Sequence, residues 1–229
     1  MTAQPTAAPP ATWSGPRLAA PAIVAAIALA VTGPLAVAVL RVVMPYDTPD
    51  DDATIAAKVA AHPGSQAAVL GLTYLALLAL PLGIVLGGAA AVRARPVLGG
   101  IGATVAWLGF MSLFASVGYD TIAFAGARAG VPVPVVAQLG AALDADPVTS
   151  VATTMFIAGH ILGVILLAAA LWSAVPRWAA VALAVSQPLH LVFAVVVPNH
   201  PLDGLAWLLT AVGFGAAVLA GTRTVRGAR

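Results

Sequence analysis

Six apolar runs, each long enough to cross a bilayer as a helix, leave this chain almost no way to fold in water. They occupy residues 18–44, 66–92, 97–125, 149–174, 177–197 and 203–222, and a helix needs about 20 residues to span the hydrocarbon. Only 8% of the 229 residues are charged and 61% are hydrophobic, where an ordinary soluble domain carries roughly 25% charged residues. A water-facing surface cannot be built from so few charges. No strand-like alternation occurs, which argues against a transmembrane barrel. The sequence therefore predicts an all-α polytopic membrane bundle of six transmembrane helices, with short surface helices on its outer side. Residues 1–16 are rich in Pro, Ala and Thr and read as a disordered cytoplasmic tail, residues 17–222 as the membrane domain, and residues 223–229 as a basic cytoplasmic tail. The run 18–44 is too long for the apolar core of a cleaved signal peptide.

The charges give the bundle an expected orientation. Arg17, Arg93, Arg95, Arg177, Arg223, Arg226 and Arg229 fall on one side, with no acidic residue. Arg41, Lys58 and Arg128 fall on the other, together with all eight Asp. Arginine bias marks the cytoplasmic face. This predicts a multi-pass protein of the cell membrane with both termini inside and the connections 45–65, 126–148 and 198–202 outside. Trp172 and Trp178 flank the inner turn between spans four and five, where interfacial indoles prefer to sit.

Composition also removes several kinds of chemistry. With no cysteine, disulfides, thiol redox reactions and thiolate metal sites are excluded. The ten basic residues are scattered singly, which argues against a nucleic-acid partner. There is no Glu to serve as an intramembrane proton carrier, and the sole Lys, Lys58, lies in a polar connection rather than a span.

Asp50, Asp51 and Asp52 precede ATIAAKVAAH, and Pro63-Gly64 follow, which brackets a short helix with Ile55 and Val59 as its apolar stripe. The Asp run lacks the spaced ligands and closing Glu of a calcium loop, so no metal is expected there. Residues 135–144 read as a second surface helix. LGIVLGGAAAVRARP at 82–96 echoes LGVILLAAALWSAVP at 162–176, as a duplicated hairpin or chance in an Ala/Leu-rich chain would do. At AKVAAHPG (57–64) and LWSAVPRWAA (171–180) the chain resembles a loose group of uncharacterised small six-span membrane proteins from actinobacteria. The resemblance implies the six-span fold and the membrane location, and no activity.

Polar groups inside spans are costly and therefore candidates for function. Counting about 1.5 Å per residue from the inner turns puts His160 and His190 at one height, roughly 22 Å up. Thr32, Met111, Ser112 and Trp207 fall at about that level, and Gln187 lies one turn from His190. The expected site is a neutral polar layer of Thr32, Ser112, His160, Gln187, His190 and Trp207, near prolines 34, 81 and 188. Asp120 counts to about 36 Å, too far above the histidines for contact. Arg41 comes out beside it, so an Arg41–Asp120 pair at the outer mouth is expected, with Tyr74, Tyr119, His200 and Asp203 nearby. Gly83/Gly87 and Gly159/Gly163 have the spacing that lets helices approach closely, within the bundle or in a homo-oligomer.

Three functions fit this layer. The first is binding or translocation of a small amphipathic or lipophilic molecule between the helices. The second is a b-type haem electron-transfer protein with His160 and His190 as ligands. The third is a structural or accessory membrane protein without ligand. An enzyme ranks last, because no catalytic residue is identified: H-E-x-x-H, G-x-S-x-G and S-x-x-K are all missing.

Overall fold

The computed structural model describes residues 19–227. The expectations for residues 1–16, Arg17 and Arg229 lie outside the described residues, as do the side chains of Arg223 and Arg226. The described residues are mostly helical, with no strand among them: α1 (Ala20–Val43), α2 (Asp52–Ala61), α3 (Pro63–Ala94), α4 (Pro96–Ser116), α5 (Gly118–Ala129), α6 (Val133–Asp144), α7 (Pro147–Leu171), α8 (Arg177–Leu191) and α9 (His200–Gly227). A π-helical turn, Val192–Val196, extends α8. Six stretches are long and apolar enough to cross a membrane, with α4 and α5 together forming the third. The protein is a multi-pass all-α membrane bundle.

The spans pack in a closed ring. α1 meets α3, α3 meets α4, α4 meets α7, α7 meets α8, α8 meets α9, and α9 returns to α1. Gly204 of α9 lies against Ala38, and Gly215 against Val31 and Ile27, so α1 and α9 run antiparallel. The start of α1 and the end of α9 therefore share one end of the bundle. Lipid offers no hydrophobic drive between helices, so association rests on close packing of small residues. The α4–α7 seam shows this. Gly109 faces Gly159 and the backbone of His160, and Gly163 faces Ala106. Through the half nearer the chain ends, α3 also reaches α9 and α7, and Leu80, Ile84, Phe214, Leu167 and Leu183 fill the interior.

The other end is capped. α2 begins where Asp51 accepts a hydrogen bond from Thr54 N at 2.7 Å, and Ile55 and Val59 are buried as the expected stripe. Pro63 then starts α3 directly rather than only ending α2. The apolar run expected as one span, 97–125, breaks at Val117, and α5 packs with α2 and α6 over the bundle mouth. Tyr119 donates its hydroxyl hydrogen to the Asp52 carbonyl at 2.5 Å, tying α5 to α2. Lys58 Nζ lies 2.7 Å from Asp50 and 3.5 Å from Asp47, closing the connection before α2.

Candidate functional site

Beneath the cap the ring encloses a cavity of about 340 Å³. Its polar wall carries Arg41 of α1, Tyr46, Asp120 of α5, His160 of α7, and His190 and Trp207 of the last hairpin. The rest is mostly apolar, with Leu80, Ala76 and Phe156 among the lining side chains. Ile157, Leu191 and Val195 line the cavity and are also exposed on the bundle surface. The cavity thus approaches the lipid face between α7 and the π-helical turn.

The last hairpin builds the central group. Asn199 Oδ1 accepts from Leu202 N at 3.1 Å and starts α9, which sets Asp203 in its first turn. Asp203 is fully buried, receives a hydrogen bond from Nε of Arg41, and lies 2.5 Å from Nδ1 of His190. Arg41 spends its other nitrogens on Thr48 Oγ1 at 2.8 Å and Met44 Sδ at 3.1 Å. Nδ1 of His190 is also 3.1 Å from Nε1 of Trp207. It can hold a proton or a lone pair, not both. Asp203 is paired with the Arg41 guanidinium and accepts from it, so the proton between Asp203 and His190 is placed on Nδ1. The indole then packs edge-on against the imidazole, with centroids 5.1 Å apart.

His160 is 2% exposed. Its Nδ1 lies 2.5 Å from the Phe156 carbonyl, which can only accept, so that nitrogen also carries its proton. The ring stacks on Phe156 at 4.4 Å and lies 5.7 Å from the His190 ring. Its Nε2 is buried without a hydrogen-bond partner.

The expected Arg41–Asp120 pair is not formed. Arg41 binds Asp203, and Asp120 instead accepts from the Tyr46 hydroxyl and from Gln66 Nε2 at 3.0 Å. Burial first, and the Asp120 carboxylate second, push the Tyr46 hydroxyl well above its ordinary pKa, so it stays a donor. The expected polar layer is also only partly assembled. His160, His190 and Trp207 meet. Thr32 and Ser112 turn back to their own helices, bonding the carbonyls of Ala28 and Leu108, and they do not line the cavity. This is the usual resort of a mid-helix hydroxyl in lipid. Gln187 faces α9 and donates to Thr210 at 2.7 Å rather than reaching His190. Tyr74 is half-exposed and 3.4 Å from Thr121, while His200 Nε2 lies 3.1 Å from Asp47.

The chain matches no family model, no curated protein and no solved structure. Chemically, the site offers an imidazole, His190, whose orientation is fixed by the Asp203 carboxylate. Among the described residues no three His, Cys, Asp or Glu side chains are grouped to hold a metal ion.

Proposed function

We propose that this protein binds a small amphipathic molecule in the capped cavity, admitting it from the bilayer between α7 and the π-helical turn. The cavity carries the reading: about 340 Å³, mostly apolar, with a few polar side chains in its wall. Ligand pockets have about this size, 300–1,000 Å³, and this character. Ile157, Leu191 and Val195, exposed on the lipid side and lining the cavity, support lateral entry. π-helical turns recur at functional sites because they reaim the backbone locally. The arginines Arg93, Arg95 and Arg177 lie at the end opposite the cap, so the capped end is the outer one and the chain termini are cytoplasmic.

The haem alternative draws less support. A haem needs room for its macrocycle between the two imidazoles, whereas Phe110, Phe156 and Trp207 pack against these rings. The accessory reading accounts for the Arg41–Asp203–His190 chain but not for the cavity beside it.

The test is indole emission from the full-length protein in nanodiscs on addition of octanol. A saturable change, lost in Trp207→Phe, supports binding at this site. A non-saturable change, or one unaltered in Trp207→Phe, contradicts it.

A further inference from the structure

We infer that the head group this cavity selects is a protonated amine. The inference rests on the binding reading above and gives it a ligand chemistry.

The charged and titratable groups around the cavity come from every wall. They are Arg41 from α1, Tyr46 from the following connection, Asp120 from α5, His160 from α7 and His190 from α8, with Asp203 of α9 behind. Arg41 and Asp203 are bonded to one another, so their charges cancel locally. Asp120 is bonded by Tyr46 and Gln66, and both donors are neutral. With Asp120 ionised and both imidazoles neutral, the wall would carry one negative charge more than its positive charges. A carboxylate out of water without a cationic partner is costly, and a bound cation relieves that cost.

The histidines specify what kind of cation. Both rings carry their proton on Nδ1, one facing the Asp203 carboxylate and the other the Phe156 carbonyl. In the neutral rings both Nε2 atoms are therefore acceptors. That of His160 is buried and unpartnered in a side chain lining the cavity. An anionic head would meet lone pairs and a carboxylate. An ammonium head would bring a positive charge into the cavity whose wall holds Asp120, and N–H donors for the unpartnered Nε2 of His160. The apolar wall of Leu80, Ala76 and Phe156 suits a hydrocarbon tail.

The experiment compares four amphiphiles of one tail on the full-length protein in detergent: octylamine, octanol, octanoate and octyltrimethylammonium. Affinities are read from indole emission and thermal shift, corrected for partition into micelles. Octylamine is a cation at pH 7, as a lysine side chain is. It should bind about ten-fold or more tighter than octanol, the worth of a charge-assisted hydrogen bond. Octyltrimethylammonium, a cation without N–H, should bind more weakly than octylamine, and octanoate weakest of all. Asp120→Asn should remove the preference for octylamine over octanol.

Equal binding of octanol and octylamine would overturn the inference and leave the binding reading standing. So would tightest binding of octanoate, octyltrimethylammonium matching octylamine, or an amine preference that survives Asp120→Asn. No saturable binding by any of the four would overturn both. The head-group series needs no variant, so it decides the matter even where Asp120→Asn fails to fold.

Discussion

Nδ1 of His190 and Oδ1 of Asp203 meet at 2.5 Å across the last hairpin, 13 residues apart in the chain. Asp203 is in turn held by Arg41, which comes from the first span. The hairpin and α1 are thus locked by one buried ionic chain beside the cavity.

Breaking that chain leaves an uncompensated buried charge. Arg41→Gln and Asp203→Asn should each cost about 3–5 kcal/mol of stability. The double variant should cost less than the sum, because the second change removes the charge orphaned by the first. Melting followed by circular dichroism in detergent measures both terms. Additive losses would show that the two side chains do not act as a pair.

His160 is a separate case. His160→Phe keeps a planar ring between Phe156 and Phe110. It loses one hydrogen bond but also removes the unpartnered Nε2, so stability should change by no more than about 1 kcal/mol. Octylamine binding should fall markedly, because an acceptor is gone. A large loss of stability would mean that the imidazole serves the fold.

The α4–α7 seam should not tolerate a side chain where its backbones touch. A Cβ at Gly163 would overlap the backbone of Ala106, whereas one at Gly71 meets nothing within 4 Å. Gly163→Ala should therefore lower the melting temperature, while Gly71→Ala should be neutral or stabilising by about 0.5–1 kcal/mol through helix propensity. Equal effects would mean that the seam is loosely packed.

The cap should open at both pH extremes. The Lys58 hydrogen bond lowers the Asp50 pKa, and the Thr54 hydroxyl and N–H lower that of Asp51. A depressed carboxylate stabilises the fold above its unfolded pKa of about 4 and loses that contribution as pH falls through the folded value. Lys58 is raised by Asp50, and Tyr46 by burial and then Asp120. Their contributions are full below about pH 10 and are lost as pH rises through the raised values. Asp52, raised by burial and then Asp144, works against the acid trend. Amide protection across residues 47–61, the slowing of exchange relative to that of the unfolded chain at the same pH, should be greatest between these limits. A flat profile would show that the ion pairs of the cap do not hold it closed.

Much of the bundle was legible because apolar length is a strong signal: all six spans appear, and Ile55 and Val59 are buried as their spacing required. Counting helix rise put both Asp120 and Asp203 near Arg41, and the carboxylate it favoured, Asp120, was not the one Arg41 binds. That count measures height along straight helices, but α4 and α5 break at Val117 and the π-helical turn lengthens the end of α8. Side-chain direction was a second gap. Gln187 is near His190 along the helix yet faces Thr210, and Thr32 and Ser112 satisfy themselves on their own backbones.

If the capped cavity is the binding site, filling it with a side chain must abolish binding. Ala76 lines the cavity and is 1% exposed, so Ala76→Trp would place an indole inside it. Native mass spectrometry of the full-length protein with octylamine then counts bound molecules. The account predicts one octylamine on the wild type and none on Ala76→Trp, with the melting temperature of the unliganded proteins unchanged. Octylamine retained in full by a folded Ala76→Trp variant would contradict it.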